Sequence, residues 1–179
     1  MIPVIERLAL RLASAIKEVD PERTPSVDVM KFSLIILLHT LFTALIILTV
    51  GWATGKGGET AGGMLFFMLL RFFSGGYHLH SSALCTVLSV ALIGAAPHIP
   101  LPPEWVMALT ALNVVLMLVF APSNIKGFAR IPETWFPLLK IVSGLIVSSN
   151  FLMRLDHIAV VSLFQALLVM IPQKGGDVR

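Results

Sequence analysis

Apolar residues recur at helical spacing between residues 4 and 19, with Ile5, Leu8, Leu12, Ile16 and Val19 on one face and Arg7, Arg11, Lys17 and Glu18 mostly on the others. The pattern predicts an amphipathic helix, either lying on a membrane surface or packed on neighbouring helices. Pro21 and Pro25 end it. From Phe32 to about Trp52 there is no charge, and at ~1.5 Å per residue that stretch crosses a ~30 Å hydrocarbon core. The glycine-rich stretch from Gly55 to Gly63 predicts a loop. Met64–Phe73 is apolar but short and holds Arg71. Counted from Thr60 it gives roughly 14 residues and about 21 Å of helix, marginal for a crossing and suited to a half-helix ending inside the protein.

Ser74-Gly75-Gly76 interrupts the pattern, and a second apolar run covers Ala83–Ala96. Pro97 to Pro103 is a proline-rich turn, Glu104–Ala121 is apolar again, and Pro122–Glu133 is a loop carrying Lys126 and Arg130. Trp135 to about Met153 predicts another span, and His157–Ile171 a shorter last helix. The pattern predicts six membrane segments after the N-terminal helix.

Composition supports lipid as the solvent. Of 179 residues, 56% are hydrophobic and only 13% charged, against about a quarter charged in soluble domains. The expected fold is all-α and polytopic: one membrane domain over 1–179, with an N-terminal amphipathic segment over 1–25. The net charge of +3 gives nucleic-acid binding no support. The single cysteine, Cys85, excludes an intramolecular disulfide. The first 30 residues scatter charges without the apolar core of a signal peptide, so the first span is expected to act as the insertion signal. Arg7, Arg11, Lys17, Arg23 and Lys31 precede that span, Lys126 and Arg130 lie between the fourth and fifth, and Lys174 and Arg179 follow the last. Six crossings place all of these, and the Arg71–Cys85 stretch, on the cytoplasmic side.

Arg71, Ser74, Gly75, Gly76, His78 and Cys85 crowd the junction between two apolar segments. Glycine pairs let the backbone turn sharply inside a membrane where protein or a wet cavity surrounds it. A cysteine nucleophile needs a base or a cation to hold it as thiolate, and His78 is the nearest base in sequence. On one straight helix their spacing is two turns, a rise of ~10.5 Å, too far for a hydrogen bond. A working pair therefore requires His78 on a loop that folds back. Ser81 or Ser82 would cap the next helix, with Cys85 in its first turn near the positive end of the dipole.

The order Arg71-Phe-Phe-Ser-Gly-Gly-Tyr-His78-Leu-His-Ser-Ser-Ala-Leu-Cys85 resembles the signature of the AgrB family, membrane endopeptidases that process quorum-sensing propeptides in Gram-positive bacteria. Phe120-Ala-Pro-Ser-Asn-Ile-Lys126, with Arg130-Ile-Pro132 beyond it, looks like that family's Ala-Pro loop. The specific resemblance covers roughly residues 64–140, and this chain has fewer basic residues in the loop than many members.

The resemblance implies a cysteine endopeptidase in the cell membrane, with catalytic Cys85 and His78 and a cytoplasmic active site. Its substrate would be a short amphipathic AgrD-like propeptide with an acidic C-terminal tail. Cys85 would form an acyl-thioester as the tail departs, and a cysteine within the peptide would then close a thiolactone. Arg71, Lys126 and Arg130 would hold the tail or support the site, Gly75 and Gly76 would shape it, and the protein would be a homodimer. Exchanging thioesters is roughly isoenergetic, so the ring needs no ATP, and no cofactor or metal is expected. Phe66, Phe67, Phe72 and Phe73 would wall the site or simply pack.

Other readings remain. His80 is a second candidate base. His39 reads as a helix-packing contact, and His98 and His157 as membrane-interface residues. His78, His80 and Cys85 form an incomplete zinc set. A small transporter or peptide exporter is the non-enzyme alternative, although the spans hold no acidic residue for coupling and no inverted repeat is visible. Cys85 as a lipidation site would need neither His78 nor the glycines.

Overall fold

The computed structural model describes residues 2–77, 81–125 and 131–172. Among these the chain is all helical: α1 (Ile2–Val19), α2 (Val27–Ala53), α3 (Gly57–Ser74), α4 (Ser82–Ala95), α5 (Pro103–Phe120), α6 (Phe136–Ser148), α7 (Asn150–Met153) and α8 (Asp156–Met170). Three stretches are long and apolar enough to cross a membrane: Val27–Ala53, Pro103–Phe120 and Glu133–Met153. Ala83–His98 and Asp156–Met170 are apolar but shorter. Helices stand at all six places where apolar segments predicted them.

Two departures have physical causes. Helix α3 begins at Gly57, inside the stretch expected to be a loop, and so reaches 18 residues. Its glycines are used for close packing. A Cβ on Gly63 would stand 3.4 Å from Val161 on α8, and across the adjacent seam a Cβ on Gly51 of α2 would collide with Thr60. Tertiary contact overrides the poor helix propensity of glycine here. Helix α1 lies against α2, with Ala9 and Ala13 fully buried. These alanines, four residues apart, let the two backbones approach, while Leu8, Leu12 and Ile16 of the predicted apolar stripe stay exposed.

The interior has two clusters sharing α3 and α8. One joins Ile47, Met64, Phe67, Ile93, Val160 and Val161. The other joins Leu70, Met117, Ala121, Val147, Ala166 and Val169. Helix α8, expected only as a shorter last helix, is thus the axis of the bundle. His157 in its first turn is buried, with its ring near Gly62 and Gly63 of α3, rather than turned to the membrane surface. His98 is exposed, and its Nε2 lies 3.1 Å from Thr54 Oγ1. His39 contacts Thr86 Oγ1 at 3.4 Å, the packing role expected of it.

The expected span from Trp135 to Met153 stands as one stretch, with only a local irregularity at Ser149 between α6 and α7, and it ends at Arg154 in left-handed conformation. Asn150 ties this segment to α5 and to the turn that follows α7. Its Nδ2 donates to Thr110 Oγ1 at 3.0 Å and to the Leu155 carbonyl at 3.1 Å, and its Oδ1 accepts from the Leu155 N–H at 3.0 Å. Replacing it with leucine leaves those groups unpaired in a buried site, so Asn150→Leu is expected to destabilise the protein by about 1–3 kcal/mol. Thermal unfolding in detergent checks this, and an unchanged midpoint would remove Asn150 from the list of fold determinants.

Candidate functional site

The candidate site grows from the end of α3. A helix terminus leaves its last carbonyls without partners, and this one continues into two glycines rather than into solvent. Gly75 has φ +66° and Gly76 φ +122°, values that only glycine adopts without strain. The Gly75 N–H still closes on the Arg71 carbonyl at 2.9 Å. After that the backbone pairs outside its own helix. The Gly76 N–H donates to the Ser123 carbonyl at 2.9 Å, the Ser123 N–H to the Ser74 carbonyl at 3.0 Å, and the Tyr77 N–H to the Leu168 carbonyl of α8 at 2.8 Å. Ser123 lies in the loop after α5, where the Ala121–Pro122 peptide is cis. Asn124 of that loop donates to the Ile171 carbonyl at 2.9 Å. The α3 end, the α5–α6 loop and the α8 end therefore meet at one end of the bundle.

Two side chains lock the knot. Gln165 of α8, fully buried, donates through Nε2 to Ser74 Oγ at 2.8 Å and to the Gly75 carbonyl at 2.7 Å. Its Oε1 accepts from Arg71 Nη1 at 3.3 Å. Arg71 Nη2 donates to the Tyr77 carbonyl at 2.6 Å. The guanidinium also stands 5.9 Å from the centre of the Phe67 ring, a cation–π distance, and it interacts electrostatically with Cys85.

Cys85 sits as the sequence predicts. Ser81 caps α4, its Oγ accepting from the Leu84 N–H at 3.4 Å, and the Cys85 N–H closes the first helical bond onto the Ser81 carbonyl at 3.0 Å. The thiol is free and half-exposed. The structure thus brings Arg71, Gly75 and Gly76 into one knot. His78, His80, Lys126 and Arg130 lie outside the described residues, as do two of the three ligands of the zinc reading.

The four phenylalanines do not form one wall. Phe67 is buried in the core, Phe72 is 74% exposed, and Phe72 packs edge-on against Phe73 at 5.2 Å. Gln165 and Ser123 were not singled out from the sequence. Gln165 left one signal, a lone amide in an apolar helix, and such groups are costly in a membrane unless paired. Ser123 left none, because it acts through its backbone. An open cleft of about 480 Å³, lined by Trp52, Gly55, Gly57, Gly58 and Ala61, lies at the other end of α3 and holds no group suited to this chemistry.

A Cβ on Gly75 would overlap the Ser123 carbonyl oxygen and stand 2.7 Å from Ile125 Cγ1, whereas one on Gly58 meets nothing within 4 Å. Gly75→Ala is expected to lower stability by about 1–3 kcal/mol and Gly58→Ala by far less. Heat-induced aggregation in detergent compares them, and equal midpoints would show that the turn is not held as described.

The sequence matches the accessory gene regulator B family over residues 5–171. An AgrB-like protein of Halalkalibacterium halodurans is 37% identical over 115 residues, 64% of this chain and 58% of that protein, so the match spans less than two thirds of that relative. An AgrB-like protein of Listeria welshimeri serovar 6b is 27% identical over 180 residues, 94% of this chain and 87% of its own. No solved structure matches. With the family's match running from the first helix to the end of the last, this chain belongs to the AgrB family.

Proposed function

We propose that the protein is a membrane cysteine endopeptidase that removes the C-terminal tail of a short AgrD-like propeptide and promotes closure of a thiolactone. Family membership supports a role in quorum-sensing propeptide processing, and the match over residues 5–171 carries the reading, since it includes the whole Arg71–Cys85 stretch. The position of Cys85 in the first turn of a capped helix supports the reading of a reactive thiol.

In this mechanism His78 takes the thiol proton and the Cys85 sulfur attacks the carbonyl before the tail. The tetrahedral intermediate collapses as His78 returns the proton to the leaving amine. An acyl-thioester remains on Cys85. A cysteine thiol of the peptide then attacks it, its proton passes to His78, and the Cys85 thiolate leaves as the ring closes. Water must be excluded during this stage, or hydrolysis yields a linear peptide. Arg71 holds the turn preceding His78, and Lys126 and Arg130 attract the acidic tail. Six crossings of the cell membrane, a cytoplasmic active site and a homodimer complete the reading.

The test is the alkylation rate of Cys85 against pH in membranes, where the single cysteine makes the label unambiguous. The expected midpoint lies well below the model thiol value of about 8.5 and rises in His78→Ala. Both Cys85→Ala and His78→Ala are expected to abolish processing of a co-expressed propeptide. A transporter would tolerate Cys85→Ala, and a rate indifferent to His78 would overturn the dyad.

A further inference from the structure

Gln165 has a pairing pattern that packing alone does not require. Its amide is fully buried, in a helix whose neighbouring positions Phe164, Ala166, Leu167 and Leu168 are all apolar. Both directions of hydrogen bonding are used: Nε2 donates to Ser74 Oγ and the Gly75 carbonyl, and Oε1 accepts from Arg71. A leucine or methionine would fill the same volume without the desolvation penalty of an amide. The two donor bonds hold the last turn of α3 and the first glycine. The acceptor bond orients the guanidinium that clamps the Tyr77 carbonyl and interacts with Cys85. A Cβ on Gly76 would stand 3.1 Å from Arg71 Nη1 and 3.3 Å from Gln165 Nε2, so both side chains close directly over the turn.

We propose that Gln165 is a positioning residue for the chemistry at Cys85: through Arg71 and the Gly75–Gly76 turn it fixes the backbone up to Tyr77, the residue before His78. The proposal rests on the endopeptidase reading and adds to it a residue 80 positions beyond the cysteine. Gln165 touches neither substrate nor sulfur in this role. Its effect passes through the turn, so losing it should act on the same step as losing His78.

The experiment is the pH profile of Cys85 alkylation in membranes for wild type, Gln165→Met, Gln165→Glu, His78→Ala and the double variant His78→Ala/Gln165→Met. Each variant is first checked for helical circular dichroism and a single species in detergent. Gln165→Met is expected to raise the midpoint by about one unit, roughly tenfold slower labelling near neutral pH. Gln165→Glu keeps an acceptor for Arg71 but sets an oxygen against the Gly75 carbonyl, and its midpoint is expected between wild type and Gln165→Met. The double variant is expected to titrate like His78→Ala, the signature of two residues acting on one step. A wild-type midpoint in folded Gln165→Met overturns the positioning role. So does one in folded Gln165→Glu if the methionine variant does not fold, or a fully additive double variant. Failure of both single variants to fold makes Gln165 a folding residue and overturns it as well. Identical profiles for wild type and His78→Ala defeat the endopeptidase reading itself, and that result is seen without any change at Gln165.

Discussion

A peptide group buried without a hydrogen-bond partner costs several kcal/mol, and this constraint governs the arrangement around Ser74–Tyr77. A helix that stops and turns inside a membrane bundle must find partners for every freed N–H and C=O. Here the partners come from two other parts of the chain, Ser123 in the loop after α5 and Leu168 with Gln165 on α8. The turn therefore exists only because three chain segments converge, and their convergence is secured by the turn. Gly75 and Gly76 are required on two counts: the backbone adopts positive φ, and the Ser123 carbonyl occupies the space of a side chain at Gly75.

The same economy of space runs through the packing. Without water to drive helices together, association in lipid depends on close approach. The small residues are placed accordingly: Ala9 and Ala13 of α1 face α2, Gly63 of α3 faces Val161, and Gly144 of α6 faces Leu118, where a Cβ would come within 2.9 Å. Ser143 and Val147 are both fully buried beside Gly144. Buried polar groups then fix the register of the helices. Asn113 of α5 donates to the Ala159 carbonyl at 2.9 Å, and Asn150 joins α5 to the start of α8. Helix α8 packs against both α3 and α5, which accounts for how little of it is exposed.

These features bear on the chemistry through Arg71. The family resemblance implies that Arg71 holds the acidic tail of a substrate or supports the site. In the structure one donor of each terminal nitrogen is engaged within the protein, on Gln165 and on the Tyr77 carbonyl. Its charge is therefore fixed at the turn rather than carried on a mobile side chain.

Much was legible from the sequence because the signals are local. Hydropathy over windows of about twenty residues located the apolar helices, since the bilayer sets their length. Ser81 as cap and Cys85 in the first turn of α4 followed from the chemistry of helix ends within four residues. The order of Arg71, the glycines, His78 and Cys85 identified the family. What only the tertiary structure decided involves partners far apart in the chain: the Gly75 carbonyl and the Gln165 amide are 90 residues distant, and the Ser123 contribution comes from backbone atoms every residue carries. The helical start of α3 at Gly57 and the burial of α1 through alanines are likewise set by which neighbour comes close. Periodicity reports how a segment meets its solvent, but the choice of partner for a buried amide or a freed carbonyl depends on three-dimensional proximity, which no local pattern of residues encodes.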